Sequence, residues 1–307
     1  MKRIGMVKVS GHSYFFGGMF NKSDLDELKN VDGTVARVLA LDEEPSIPVA
    51  DARVTRVWDA DRQKAERFAS ICGVEAVAGD PAAMVGEVDA ILLAETSEDG
   101  ADHARLALPF LEAGIPILVD KPFSNNLPDA VKMVEAAKKT GTPLMSSSLL
   151  RYVLAVEELR AEAESIGEIR HVVASGPGGT LVYGIHACEF LLTVSAGTVE
   201  SVWNLGHKGL DLVSLKYCDG RTAVMQIFRN SPVDFNITVY GQKGNRSRSV
   251  PILAYRHGAA VMMQQFAKMV DTGQPPIPYE ETLQILKVLF AAMKSLAEDR
   301  GVRLSEL

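Results

Sequence analysis

The sequence predicts an α/β protein whose two halves have different architectures. Up to about residue 150, short apolar strands alternate with amphipathic helices, which is typical of a parallel sheet with right-handed crossovers. After Arg151, strand-like segments follow one another with only turns between them, which indicates a mostly antiparallel sheet. No flexible linker joins the halves, so we expect them to pack closely around a cleft.

Strands and helices alternate regularly in the first half. The predicted strands are 4–9, 54–58, 90–94, 117–119 and 144–148, and the predicted helices are 61–72, 101–113 and 128–139. The run 90–94 is apolar throughout, as expected for a strand that is covered on both faces. Gly114 and Gly141 follow the second and third helices, where a helix stops.

Helices open and close the second half. The predicted helices are 153–165, 186–195, 257–272 and 281–299, and the predicted strands are 169–174, 199–205, 212–217, 222–228, 235–240 and 249–253. The basic run Asn245–Arg248 is interpreted as a solvated turn. We expect a first domain over 1–122, with a crossover helix and last strand over 123–150, and a second domain over 151–307 whose last helix packs back on the first.

Composition excludes several classes of partner. The 307 residues carry a net charge of −7 and lack a basic cluster, which argues against binding to nucleic acid or to an anionic membrane. The three cysteines, Cys72, Cys188 and Cys218, are too few and too widely spaced for a disulfide framework, which fits a cytoplasmic protein. No His, Cys, Asp or Glu residues have the spacing of a metal site. No apolar run reaches the roughly 20 residues of a membrane-spanning helix.

The segment after the first strand is a weak candidate for a phosphate-binding loop. Ser10 and Gly11 are small enough for close approach of a dinucleotide, but the sequence from Val9 to Gly18 is not G-x-G-x-x-G. A plain loop of small residues is an equal alternative. His12 lies in the same loop, where ligand contact and simple exposure are both open.

Asp59 is placed to hydrogen-bond an adenosine ribose, because it follows the second strand. The alternative is a helix N-cap, since a helix begins close by. The distance from Gly11 exceeds the usual spacing of about 20 residues, so an insertion is expected within Asn21–Asp51. An acid here favours NAD, and Arg62 keeps NADP possible.

The run Val119-Asp120-Lys121-Pro122 places a lysine directly after a buried strand. Ligands bind beyond the carboxyl ends of the strands in such sheets, where burial can lower the pKa of a lysine enough for proton transfer. The alternative is a surface Lys-Pro turn. His186 has a similar alternative, as a packed histidine on an amphipathic helix beside Phe190 and Leu191.

A series of short motifs runs through the whole chain. They are Val57-Trp58-Asp59-Ala60-Asp61, His103, Ala113-Gly114, Val119-Asp120-Lys121-Pro122, Arg151, Gly178-Gly179, Gly184-Ile185-His186, Tyr240-Gly241-Gln242-Lys243-Gly244 and Thr272-Gly273-Gln274-Pro275-Pro276. Their order and spacing over roughly residues 4–302 resemble the glucose–fructose oxidoreductase/inositol dehydrogenase family.

The resemblance implies a Rossmann dinucleotide-binding domain followed by an α+β domain built on an open, mostly antiparallel sheet. It implies an NAD(P)-dependent oxidoreductase that transfers hydride between a nicotinamide and a hydroxyl of a sugar, polyol or derivative, and that forms a homodimer or homotetramer through the second sheet. Lys121 and His186 match the catalytic pair. The expected cofactor contacts are Ser10, Gly11, His12, Asp59, Arg62, Thr96, Asp120 and Lys121, and the expected substrate contacts are Lys121, Arg151, Tyr183 and His186.

One departure from the family pattern leaves alternative functions open. The family's Asp-x-Gly-x-His motif would place an acid at Val182. Its loss also fits a redox-neutral lyase, epimerase or glycosidase that uses the same cofactor, or a non-catalytic binding protein. Fold alone does not decide among them, because function resides in the site.

Overall fold

A computed structural model of the protein describes residues 1–31, 38, 49, 51–95 and 99–307. The chain divides into two compact units. Unit 1 comprises residues 1–147 and 259–279, and unit 2 comprises residues 148–258 and 280–307. The last helix of the chain, which the sequence placed on the first domain, groups with unit 2. Most of the insertion predicted within Asn21–Asp51 lies outside the described residues.

Unit 1 is built on a parallel sheet. Its strands are β1 (Lys2–Val7), β2 (Ala52–Trp58), β3 (Ala76–Val77), β4 (Ala90–Leu93), β5 (Ile117–Val119) and β6 (Leu144–Met145). Over the described part of the chain they lie in the order β3-β2-β1-β4-β5-β6, and every neighbouring pair is parallel. The strand order reverses between β1 and β4: β2 and β3 lie on one side of β1, and β4, β5 and β6 lie on the other. In open α/β sheets, ligands bind at such a point, in the crevice beyond the carboxyl ends of the strands.

The helices of unit 1 begin and end where local sequence dictates. They are α1 (Gly11–Phe20), α2 (Leu25–Leu28), α3 (Arg62–Cys72), α4 (His103–Glu112) and α5 (Leu127–Thr140). The Asp61 carboxylate accepts the first N–H groups of α3, and the Asn126 side chain does the same for α5. Both helices end at a glycine with positive φ, Gly73 and Gly141. The alternation predicted from the sequence is confirmed.

Unit 2 is built on a sheet that is antiparallel except for one pair. Its strands are β7 (Ile169–Pro177), β8 (Val199–Asn204), β9 (Leu210–Tyr217), β10 (Thr222–Phe228), β11 (Phe235–Gly241), β12 (Gly244–Val250) and β13 (Val302–Arg303). Their order is β12-β11-β7-β10-β9-β8-β13, with β7 and β10 parallel. The prediction of a parallel sheet followed by a mostly antiparallel sheet is confirmed.

The remaining helices differ from the prediction in one place. They are α6 (Leu154–Ala161), α7 (Ala163–Ile166), α8 (Gly184–Ser195), α9 (Tyr255–Thr272) and α10 (Tyr279–Glu298). A single helix was expected over 153–165, but the chain breaks at Glu162 between α6 and α7. Helix α8 packs on β7, β10 and β11. In α9, residues 255–258 group with unit 2 and the rest with unit 1.

The prediction for the segment after β11 was wrong. Residues 245–248 were read as a turn and 249–253 as a strand, whereas the strand is β12 over Gly244–Val250. Arg246 and Arg248 extend from this strand to Glu162, and Arg248 also pairs with Glu158. The basic run is therefore part of a strand, and its arginines pair with Glu158 of α6 and with Glu162, which follows α6.

Among the described residues, no helix is long and apolar enough to cross a membrane.

Asn21 ties the end of α1 to the middle of β2. Its side-chain amide donates to the Val54 carbonyl and accepts from the Val54 N–H, both at 2.9 Å. The side chain is buried, so the backbone groups of Val54 depend on this amide for their hydrogen bonds. The contact fixes α1, and with it the loop that follows β1.

We expect Asn21→Ala to destabilise the protein, because it leaves a buried N–H and a buried carbonyl without partners. Each unsatisfied group costs about 1–3 kcal/mol, so urea unfolding should show a loss of stability within or above that range. Asn30→Ala is the control, since the Asn30 amide is exposed and donates to the Asp26 carbonyl. Equal stability of the two variants would contradict the role given to Asn21.

Candidate active site

The loop between β1 and α1 is fastened to the end of β4 by serine hydroxyls. Ser10 Oγ donates to the Ala94 carbonyl at 3.2 Å, and Ser13 Oγ does so at 2.9 Å. The Ser10 N–H donates to Ser13 Oγ at 2.9 Å. Helix α1 begins at Gly11, so His12 and Ser13 lie in its first turn rather than in an extended loop. A helix N-terminus therefore faces the carboxyl end of the sheet.

Lys8 is a residue that sequence reasoning missed. It follows β1 with φ +70°, a conformation that glycine adopts most readily, and so it stands where a dinucleotide fingerprint begins. Its ammonium lies 3.6 Å from the Glu95 carboxylate and 3.1 Å from that of Asp102. These ion pairs connect the end of β1 to the segment after β4. In the sequence, the one sign of this residue is that Lys8 occupies the position of the first glycine of G-x-G-x-x-G.

Asp59 follows β2 and shapes the same loop. Its Oδ2 accepts the Val9 N–H at 2.7 Å, and its Oδ1 accepts the Asp61 N–H at 2.8 Å. The N-cap of α3 is Asp61, so Asp59 is not the helix cap that the sequence left open. Each carboxylate oxygen can accept a further hydrogen bond. Arg62 is exposed and pairs with Glu66 at 2.8 Å.

These features fit a dinucleotide. The N-terminus of α1 offers backbone N–H groups and a positive helix end to a diphosphate, and Ser10 and Gly11 are small. Asp59 retains acceptor capacity for a ribose hydroxyl. Thr96, the remaining expected contact in this region, lies outside the described residues.

The segment after β5 places an acid and a lysine in the interior. Asp120 and Lys121 are both buried, so Lys121 is not the surface turn residue of the alternative reading. Asp120 Oδ2 lies 2.7 Å from Nδ1 of His12, and Oδ1 accepts the Lys121 N–H at 2.8 Å. The Asp120 N–H donates to Leu93 of β4 at 2.9 Å. Three of the predicted cofactor contacts, His12, Asp120 and Lys121, are thus brought together.

Burial and neighbouring charges shift the pKa values of these groups. Burial lowers the pKa of the Lys121 amine, although the carboxylates of Asp120 and Glu95 oppose that effect. Burial likewise lowers the pKa of His12, which favours the neutral imidazole. For Asp120, burial is outweighed by His12 and Lys121, so its pKa lies below the usual value. The result is an ionised acid beside an amine that loses its proton more easily than an exposed lysine.

In unit 2, a serine that sequence reasoning missed holds His186. Ser148 Oγ lies 2.6 Å from Nδ1 of His186 and accepts the Leu150 N–H at 3.1 Å. His186 is the third residue of α8, its side chain is buried, and its ring contacts Phe235 with centroids 5.5 Å apart. The hydroxyl fixes the ring orientation through Nδ1. A serine in Ser146-Ser147-Ser148 carries no sequence signal that singles it out.

Glu189 fixes the serine and an arginine together. Its Oε2 accepts the Ser148 N–H at 2.6 Å, and its Oε1 accepts from Arg151 Nε at 2.6 Å. Arg151 also donates to Glu281 at 2.7 Å. Burial disfavours the charged guanidinium, but the two carboxylates outweigh it and hold the pKa of Arg151 above its ordinary value. Arg151 forms the structural ion pairs that the sequence left open, and its substrate contact stays a prediction.

Tyr183 precedes α8 and is half exposed. Its ring lies 6.1 Å from that of His186, in an edge-on arrangement. Val182, where the family pattern has an acid, stands next to it. The acid nearest in sequence within α8 is Glu189, which is engaged with Ser148 and Arg151. His186 therefore relies on a hydroxyl where the family pattern offers a carboxylate.

The predicted site residues fall into two sets. Ser10, Gly11, His12, Asp59, Asp120 and Lys121 belong to unit 1, and Arg151, Tyr183 and His186 belong to unit 2. That Lys121 and His186 act at one pocket stays a prediction. Within the described ranges, no group of three or more His, Cys, Asp or Glu side chains could hold a metal ion.

Comparison with known proteins matches part of the chain to a family model and most of it to a curated relative. Residues 38–148 match the model of an oxidoreductase family with an NAD-binding Rossmann fold. The chain is 23% identical to the myo-inositol 2-dehydrogenase of Thermotoga maritima, over 84% of this chain and 93% of that protein. It is 27% identical to an NADP(+)-dependent scyllo-inositol 2-dehydrogenase of Bacillus subtilis, over 43% of this chain and 40% of the other.

Solved structures show the same fold. The scyllo-inositol dehydrogenase of Lactobacillus casei, solved with NAD(H) and scyllo-inositol, superimposes with a TM-score of 0.79 at 13% identity, covering 99% of both chains. At this identity the likeness establishes the fold. The predicted fold is confirmed, the matched model agrees with the predicted family and its dinucleotide cofactor, and the relatives compared give no support to the redox-neutral or non-catalytic alternatives.

We expect Ser148→Ala to release the ring of His186, because Nδ1 loses its hydroxyl partner. Nitrogen NMR of ¹⁵N-histidine protein should show the two neutral tautomers of His186 in exchange, where the parent protein shows one. Ser165→Ala serves as the control, since Ser165 is exposed and lies outside this network. An unchanged His186 spectrum in Ser148→Ala would refute the assignment.

Proposed function

We propose that this chain is an NAD(P)-dependent dehydrogenase that oxidises a hydroxyl of an inositol, sugar or related polyol, because residues 38–148 match the model of an oxidoreductase family with an NAD-binding Rossmann fold. The observation that carries the proposal is Lys121, which is buried beyond the carboxyl end of β5 and donates its backbone N–H to the Asp120 carboxylate. The names of relatives supply the substrate class: inositols stand first among them.

Oxidation of an alcohol requires that the hydroxyl proton be removed as the carbon loses hydride. When bound, an oxidised nicotinamide accepts that hydride. The Lys121 amine hydrogen-bonds the hydroxyl and stabilises the developing alkoxide, and in its neutral form it can take the proton. The carboxylates of Asp120 and Glu95 then stabilise the ammonium that forms.

His186 is the second proton acceptor of the proposal. Ser148 binds Nδ1, and the proposal assigns Nε2 to the substrate hydroxyl. A neutral imidazole accepts a proton there if its own proton lies on Nδ1 and is donated to Ser148 Oγ. Glu189 keeps Ser148 in place through its backbone N–H. That Lys121 and His186 act on one hydroxyl follows from the family resemblance and is part of the proposal.

The proposal is tested by nicotinamide reduction with a panel of substrates. Purified protein is mixed with NAD⁺ or NADP⁺ and with myo-inositol, scyllo-inositol, common sugars and linear polyols, and absorbance at the reduced nicotinamide band is followed. Protein-dependent reduction with a polyol supports the proposal. Binding of the reduced cofactor without turnover of any polyol or sugar would contradict it.

Lys121→Met should lower kcat/KM by about 10²–10⁴-fold, because a positioned acid/base group contributes that much. In the parent enzyme, kcat/KM for oxidation should rise with pH until the amine is neutral. Burial lowers the pKa of Lys121, so this rise should be complete at a lower pH than for an exposed lysine. Lys132→Met is the control, since Lys132 lies on α5, outside the site. Retained activity in Lys121→Met would remove Lys121 from the mechanism.

The proposal includes a cytoplasmic homodimer or homotetramer that assembles through the sheet of unit 2. Exposed apolar side chains on this unit support it. Trp203 on β8 is 47% exposed, and Leu205, which follows β8, is 58% exposed. Large apolar residues in water are a feature of protein interfaces.

Trp203→Glu should weaken the assembly, because it would bury an unpaired charge in the interface. Sedimentation velocity should show a shift to smaller species over a dilution series. Val85→Glu, at an exposed apolar residue of unit 1, is the matched control. A monomeric parent protein, or a Trp203→Glu variant that assembles normally, would contradict the assembly.

A further inference from the structure

His12 and Asp120 form a buried acid–imidazole pair that the family resemblance does not account for. His12 is the second residue of α1, and Asp120 follows β5. Nδ1 of the imidazole lies 2.7 Å from Oδ2 of the carboxylate. Their side chains are 7% and 1% exposed. Two distant chain segments thus place a titratable pair directly beside the lysine of the proposed reaction.

Both oxygens of the Asp120 carboxylate have a hydrogen-bond donor. Oδ2 faces His12, and Oδ1 accepts the backbone N–H of Lys121 at 2.8 Å. A buried carboxylate stays ionised only when donors and opposite charges compensate its lost hydration. His12 is the side chain that supplies such a donor, so the orientation and the charge of Asp120 depend on it.

The charges around the pair define what it does. The charges of Lys121 and Glu95 act on His12, and those of Asp120 and Glu95 act on the Lys121 amine. His12 lies in the first turn of α1, where the positive helix end favours a neutral imidazole. A neutral ring donates to Asp120 only from Nδ1–H. Asp120 therefore remains an anion close to Lys121, without a mobile proton of its own.

We propose that His12 is a positioning residue for Lys121: its Nδ1–H holds the Asp120 carboxylate ionised and oriented beside the amine. The effect on catalysis rests on the proposed function, but the effect on the amine does not. Without the imidazole donor, the carboxylate takes up a proton more readily, and Lys121 loses a counter-charge. The amine should then release its proton at lower pH.

The test is a matched pair of variants at one position. His12→Asn retains an N–H donor near the place of Nδ1, whereas His12→Leu removes it and keeps the volume roughly constant. Titration of the Lys121 amine is followed by ¹³C NMR of protein labelled at lysine Cε, with the signal assigned by Lys121→Arg. No turnover is needed for this readout.

We expect the proton affinity of Lys121 to fall about tenfold, one pKa unit, in Asp120→Asn. In His12→Leu the proton affinity of Lys121 should also fall. In His12→Asn the Lys121 amine should titrate as it does in the parent. His171→Leu is the control, because His171 also bonds through Nδ1, to Thr222 in unit 2. It should leave Lys121 unchanged.

Three results would overturn the proposal. The first is that the Lys121 amine titrates at the same pH in His12→Leu and in the parent. The second is that His12→Leu and His12→Asn shift the pKa of the Lys121 amine equally. If His12→Leu does not fold, ¹⁵N NMR of the parent still decides, since a His12 ring protonated on Nε2 alone cannot donate to Asp120. An inactive substrate panel would count against the proposed function and leave the titration result intact.

Discussion

A buried charge must be compensated where it stands, and this constraint organises the carboxyl edge of the parallel sheet. The ends of β1, β4 and β5 bring Lys8, Glu95, Asp120 and Lys121 into the interior of unit 1. Each charge is stabilised by an opposite one or by a hydrogen-bond donor, because the desolvation penalty of an isolated ion amounts to several kcal/mol. The outcome is a rigid set of ionisable groups whose proton affinities are set by their neighbours.

The same constraint is met differently in unit 2. There His186 is held by a neutral hydroxyl, and the nearby Arg151 guanidinium pairs with both Glu189 and Glu281. Glu189 serves both arrangements, since it accepts from the Ser148 backbone and from Arg151. The loss of an acid at Val182 therefore leaves the histidine oriented.

The fold could be predicted from sequence because periodicity and capping are local. Alternation of apolar strands with amphipathic helices marks the parallel sheet, and Asp61, Gly73, Asn126 and Gly141 mark helix ends within a residue or two. Prediction failed at β12, where alternating polar residues on an edge strand resemble a turn. It also failed at Glu162, because the break between α6 and α7 has no glycine or proline to announce it.

The candidate site was only partly accessible to the same reasoning. By itself the sequence determined the parallel sheet, the acid after β2 and the lysine after β5, since each follows from a pattern within a few residues. Only the tertiary structure decided that His12 reaches Asp120, that Lys8 pairs with Glu95 and Asp102, and that Ser148 binds His186. These contacts join residues far apart in the chain, and the free energy that selects them is the cost of burying each polar group alone.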